Sequence, residues 1–163
     1  MKQTSIIFLQ AVIVLFCIVA LAIMIRLPLI EGRAENLDLF SIYFDPFILY
    51  GYASSIAFFV ALYKAFKLLG YIGQNKVFSL DSVKALRTIK YCAIALSILI
   101  VMAALYIRIS YAIHAKGDDD PAGFLAICIV TTFVSIVVAV AAAVFERTTQ
   151  SAVDIKSEND LTV

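Results

Sequence analysis

The sequence predicts an all-α integral membrane protein: four transmembrane helices forming two hairpins, with both termini in the cytoplasm. Three observations lead there. First, 63% of the 163 residues are hydrophobic and only 15% are charged, with a mean hydropathy of +0.99, whereas a soluble domain carries about 25% charge. Second, four apolar runs approach the roughly 20 residues that cross a hydrocarbon core about 30 Å thick. Third, lysine and arginine are distributed unevenly between the connections. With the N-terminus inside, Lys2, Lys64, Lys67, Lys76, Lys84, Arg87, Lys90, Arg147 and Lys156 face the cytoplasm, nine of the thirteen basic residues. Cytoplasmic connections of membrane proteins carry such an excess.

The first span is expected at about 6–25, where Gln10 is the strongly polar exception. Its apolar stretch is longer than the 7–15 residues of a signal peptide, and no small-x-small cleavage site precedes Arg26-Leu27-Pro28, so it is expected to stay as an anchor. The second span is expected at about 46–69, the third at about 89–109 and the fourth at about 121–145. The uncharged cores of the middle two, Phe47–Tyr63 and Tyr91–Ile107, are short. Lys64, Lys67, Lys90 and Arg108 flank them and can snorkel, with apolar stems in the lipid and heads outside it.

Between the second and third spans, Gly70 and Gly73 are expected to stop a helix, and Ser79 or Asp81 to cap the next. That helix starts near residue 80 and runs into the third span. Residues 1–150 thus make the transmembrane domain, and 151–163 an acidic tail. The hairpins resemble each other: Arg26 and Arg108 end the outward helices, while Asp45-Pro46 and Asp120-Pro121 open the returning ones. Helix punctuation alone explains this, because Asp caps an N-terminus and Pro suits a first turn. Duplication is the alternative.

Helices associate in lipid by close packing, which small residues permit. Ala53, Ala57, Ala61 and Ala65 recur every four residues in the second helix, and Ser135, Ala139 and Ala143 do so in the fourth. These stripes are the expected helix-packing contacts, within one chain or across a homo-oligomer. Tyr43, Phe44, Phe47, Tyr50 and Tyr52 cluster toward the outer end of the second helix, as in an aromatic belt.

Chemistry is sparse. No ionisable residue falls in the middle of a span, which argues against an ion-coupled pump. Cys17, Cys92 and Cys128 are odd in number and lack CxxC spacing, so they read as small apolar residues. His114 near Asp118, Asp119 and Asp120 reads as a solvated cap rather than a metal site. No phosphate loop or nucleophile motif is present. Neither an enzyme nor a cofactor is expected, and no direct binding of nucleic acid.

The cytoplasmic side carries more. Leu80, Val83, Leu86 and Ile89 form an apolar series, and Lys84, Arg87 and Lys90 a basic one beside it. With Lys76 they form a face for anionic headgroups of the bilayer or for a protein partner. The tail, with Asp154, Glu158 and Asp160, could fold back on that face, bind a partner or stay disordered.

The stretches "ALYKAFKLL" (61–69), "NKVFS" (75–79), "SVKALRTIKYC" (82–92) and "DIKSENDLTV" (154–163) resemble the YoaS-like domain-of-unknown-function family, small four-helix membrane proteins of bacteria. The resemblance spans nearly the whole chain. It implies the bacterial cytoplasmic (inner) membrane, no assignable catalytic residue, and, since members are often encoded beside a small helix-turn-helix regulator, a cytoplasmic DNA-binding partner. The expected function is a membrane partner or anchor for such a regulator. The alternatives are immunity to a membrane-active peptide and passage of a small solute.

Overall fold

In the computed structural model, residues 2–30, 46–113 and 122–161 are described. They form four helices: α1 (Lys2–Ile30), α2 (Pro46–Gly73), α3 (Leu80–Ile113) and α4 (Ala122–Leu161). Each contains a stretch long and apolar enough to cross a membrane. Their outward surfaces agree with hydrocarbon as the solvent: Phe8, Ile129 and Phe133 are 68%, 71% and 68% exposed, which water would penalise by about 25 cal/mol per Å2. At 1.5 Å per residue, the 40 residues of α4 extend about 60 Å, roughly twice the hydrocarbon thickness.

Local chemistry accounts for the turn between α2 and α3. Gly70 stays inside α2, which continues to Gly73, so Gly70 does not stop the helix. The residue that reverses the chain is Asn75, at φ 57°. Its N–H donates to the Ile72 carbonyl at 3.2 Å, and that of Lys76 to the Tyr71 carbonyl at 2.9 Å. This is a Schellman cap, whose left-handed position accepts Gly or Asn. Ser79 caps α3: its Oγ accepts from the Ser82 N–H at 3.3 Å, and its carbonyl from the Val83 N–H at 3.1 Å. Ser82, fully buried, donates its hydroxyl to the Lys76 carbonyl at 3.1 Å, which locks the turn to the start of α3.

The helices pack in series, α1 on α2, α2 on α3 and α3 on α4, and the contacts join opposite ends of neighbours. A Cβ at Gly73 would lie 3.6 Å from Ile6, and one at Gly70 3.7 Å from Gln10. Farther along the same pair, the Tyr52 hydroxyl donates to the Met24 carbonyl at 3.3 Å. Pro28, four residues on, has no N–H to offer that carbonyl, so the tyrosine supplies a donor that the α1 backbone lacks. Tyr50 donates to the Leu99 carbonyl at 2.7 Å. Phe47 stacks on Tyr106 at 6.4 Å and tilts against Phe124 at 6.2 Å, so one ring ties α2, α3 and α4. Residues 47, 50 and 52 are half-buried and make these contacts between helices. Tyr43 and Phe44 lie outside the described residues, as do His114 and Asp118–Asp120.

The tightest packing is the α3–α4 seam. Along α4, positions 125, 128, 132, 135, 139, 142, 146, 149 and 153 alternate steps of three and four, and each is buried or half-buried. That is the spacing of a coiled-coil seam. Cys128, Thr132, Ser135, Ala139 and Ala142 occupy it within the apolar stretch, and their small side chains let the α4 backbone approach α3. On α3, Val83, Ala85, Leu86, Ile89 and Ala93 are buried.

Candidate functional site

The seam does not stop where the apolar run stops. The next position after Ala142 in its spacing is Glu146, the first charged residue beyond the uncharged run that ends at Phe145. Glu146 is 8% exposed. A carboxylate so enclosed needs partners, because an unpaired buried charge is strongly unfavourable. Both come from α3. Arg87 donates Nε–H to Oε1 at 2.7 Å, and Lys90 donates Nζ–H to Oε2 at 2.6 Å. Each carboxylate oxygen thus holds one cation, with geometry in the short range of charge-assisted bonds. Arg87 and Lys90, three residues apart on α3, share a helix face, so one glutamate reaches both.

The two cations differ in setting. The Arg87 side chain is 55% exposed and that of Lys90 21%. Lys90 also sits over the Tyr91 ring, 4.9 Å from its centroid. Arg87, Lys90 and Glu146 line a cleft of about 420 Å3 together with Arg147, Gln150 and Ser151 of the next α4 turn. Thr149, the next seam residue, is buried at 6%, so packing continues below the ion triad.

Of the residues singled out from sequence, Arg87 and Lys90 meet on Glu146. Lys84 is exposed on α3 and Lys76 is exposed in the turn. Asp154 and Glu158 are exposed on α4, and Asp154 accepts a hydrogen bond from Gln150 Nε2 at 2.8 Å. Asp160 lies in the last turn of α4. The tail continues α4 as helix to Leu161 instead of turning back. Among the packing stripes, Ala139 is buried, Ser135, Ala143, Ala57, Ala61 and Ala65 are half-buried, and Ala53 is exposed. Substantial packing joins α2 and α4 each to α3.

Glu146 was absent from the residues picked out by sequence. Its signal was present: small or polar residues at 128, 132, 135, 139 and 142 in a helix otherwise rich in Val, Ile and Phe, and the same spacing lands on 146. A four-residue stripe through 135, 139 and 143 drifts off that seam within two turns.

Residues 29–163 match the family model described as "Protein of unknown function (DUF2975)". The chain belongs to this family. It is also 44% identical, over 168 aligned residues covering all of both chains, to the protein of Bacillus subtilis (strain 168) called "Uncharacterized membrane protein YoaS". The resemblance drawn from the α2–α3 turn and the tail therefore holds over the full length. No solved structure matches the chain.

Proposed function

We propose that this DUF2975 member is a non-enzymatic anchor in the bacterial cytoplasmic membrane that docks a cytoplasmic regulator. It would sit as two hairpins with both termini inside, and its working surface is the part of α3 and α4 standing beyond the apolar layer. One observation carries the reading. α4 continues unbroken from Glu146 to Leu161, about 24 Å past the uncharged run at 1.5 Å per residue, with Asp154 and Glu158 exposed along it. Helix already formed and tied to α3 by an ion triad loses less conformational entropy on binding than a loose tail would. The exposed acids and the exposed Lys84 offer charge for steering and register. A helix-turn-helix partner is what the family resemblance implies.

Affinity capture from native membranes, comparing the intact chain with one truncated after Gln150, tests this. A DNA-binding regulator retained by the intact chain and lost on truncation supports the reading. If the regulator survives truncation but is lost when Lys76 and Lys84, both exposed and outside the ion triad, are neutralised together, the contact lies on the turn and the start of α3. If neither form retains a DNA-binding protein, the docking reading fails, and sensitivity of a deletion strain to membrane-active peptides becomes the measurement to make.

A further inference from the structure

The cleft beside the ion triad holds more positive charge than the triad consumes. Glu146 offsets one of its two α3 cations. The other remains, and Arg147, exposed on the neighbouring position of α4, adds a further one to the same cleft. The donors are not exhausted either. An arginine has five N–H groups, and Arg87 spends the one on Nε on Glu146, which leaves its Nη groups for another acceptor on a side chain 55% exposed. Ser151, exposed in the same lining, adds a hydroxyl.

Depth limits what that acceptor is. Tyr91 and Phe145 directly adjoin Lys90 and Glu146, and the two residues are 60% and 62% exposed. Exposed rings at the end of an apolar run settle at headgroup level. On the side away from the cleft α3 is uncharged from Tyr91 to Ile107 and α4 from Phe145 back to Ala122; on the other side the cleft is polar. An anion that reaches this level with an apolar body alongside Tyr91 and Phe145 is a membrane lipid.

We infer that the cleft formed by Arg87, Arg147 and Ser151 binds the phosphate of an anionic phospholipid headgroup, with Glu146 as the positioning residue that holds Arg87 in place. The occupancy is independent of whether a regulator docks farther along α4, because it needs only this chain and lipid. Arg147 is the informative position: it is exposed and outside the buried seam, so its removal leaves the fold intact. Lys84 is an equally charged control on exposed α3 surface outside the cleft.

The test uses the purified full chain in a neutral detergent, titrated with short-chain phosphatidylglycerol, with phosphatidylcholine of the same chain length and with inorganic phosphate, and followed by native mass spectrometry. Saturable binding of one phosphatidylglycerol is expected, with little retention of phosphatidylcholine or phosphate. Arg147→Gln should weaken it about five-fold, the equivalent of the roughly 1 kcal/mol that a basic residue contributes near an anionic surface, while Lys84→Gln changes it less than about two-fold. Equal binding of phosphatidylcholine overturns the proposal, since contact with acyl chains would then suffice. So does displacement of the lipid by inorganic phosphate at the same concentration, which would make the site one for the free ion. Equal effects of Arg147→Gln and Lys84→Gln, or no effect of the first, overturn it as well by replacing a built site with diffuse surface charge.

Discussion

Replacing Glu146 with Leu tests whether the ion triad ties α3 to α4. The substitution leaves Arg87 and Lys90 without their shared carboxylate. Water can reach Arg87, whose side chain is 55% exposed, so solvent screens most of that leg. Lys90, at 21%, has little water to turn to and carries most of the cost. Breaking a fully buried pair by removing one partner costs about 3–5 kcal/mol. The partial exposure of Lys90 places Glu146→Leu at or just below the low end, about 2–3 kcal/mol. Glu146→Gln is milder, about 1–2 kcal/mol, because the amide oxygen still accepts from Lys90 and a charged acceptor is roughly twice as strong as a neutral one. The assay is reversible unfolding in mixed micelles, followed by far-UV circular dichroism. The decisive comparison is a cycle with Lys90→Met: once Glu146 is gone, removing the lysine should cost little or restore stability, with a coupling of at least about 1 kcal/mol. If the two costs instead add to within about 0.5 kcal/mol, or if Glu146→Leu is as stable as the parent chain, the 2.6 Å contact does not hold the helices together and the reasoning is wrong.

Four other outcomes follow from the same structure. Ala142→Leu, at a seam position 5% exposed, should overpack and cost about 1–3 kcal/mol in the same unfolding assay, while Ala53→Leu on exposed α2 surface stays within about 0.5 kcal/mol; equal costs would dissolve the distinction between seam and surface. Asn75→Gly should be nearly neutral and Asn75→Val should lose at least about 1–2 kcal/mol, because a β-branched residue resists the left-handed conformation at φ 57°; thermal unfolding of the two variants compares them. Tyr52→Phe withdraws the hydroxyl that bonds the Met24 carbonyl and should cost about 1 kcal/mol, which a hydrogen-exchange increase near Met24 would localise. Glu158→Cys should react with a membrane-impermeant thiol reagent only after the cells are permeabilised; labelling of intact cells would place α4's end outside and reverse the proposed topology.

The apolar runs and their lengths are properties of composition, so the existence and approximate positions of four candidate membrane helices were legible without coordinates. Their punctuation was partly legible. Ser79 was one of two candidate caps because its hydroxyl can accept a backbone N–H, but the reversal at Asn75 was hidden behind Gly70 and Gly73, which offered the same conformation at lower cost. The α3–α4 seam was written into α4 as small residues at alternating spacings of three and four. A stripe read at a constant four residues caught Ser135 and Ala139 but left the seam at Ala143, where the seam itself takes Ala142, and neither spacing announces which helix lies opposite. Glu146 shows most clearly what tertiary structure decided. In sequence it is an ordinary acid just past an apolar run, 56 residues from Lys90 and 59 from Arg87. Only packing α4 along α3 removes it from water, and burial is what turns a solvated carboxylate into one that must hold two cations. The sequence by itself determined which segments prefer hydrocarbon, because transfer free energy is a property of each side chain. Which charges neutralise one another, and which are left exposed, depended on the distance and burial that the fold imposes.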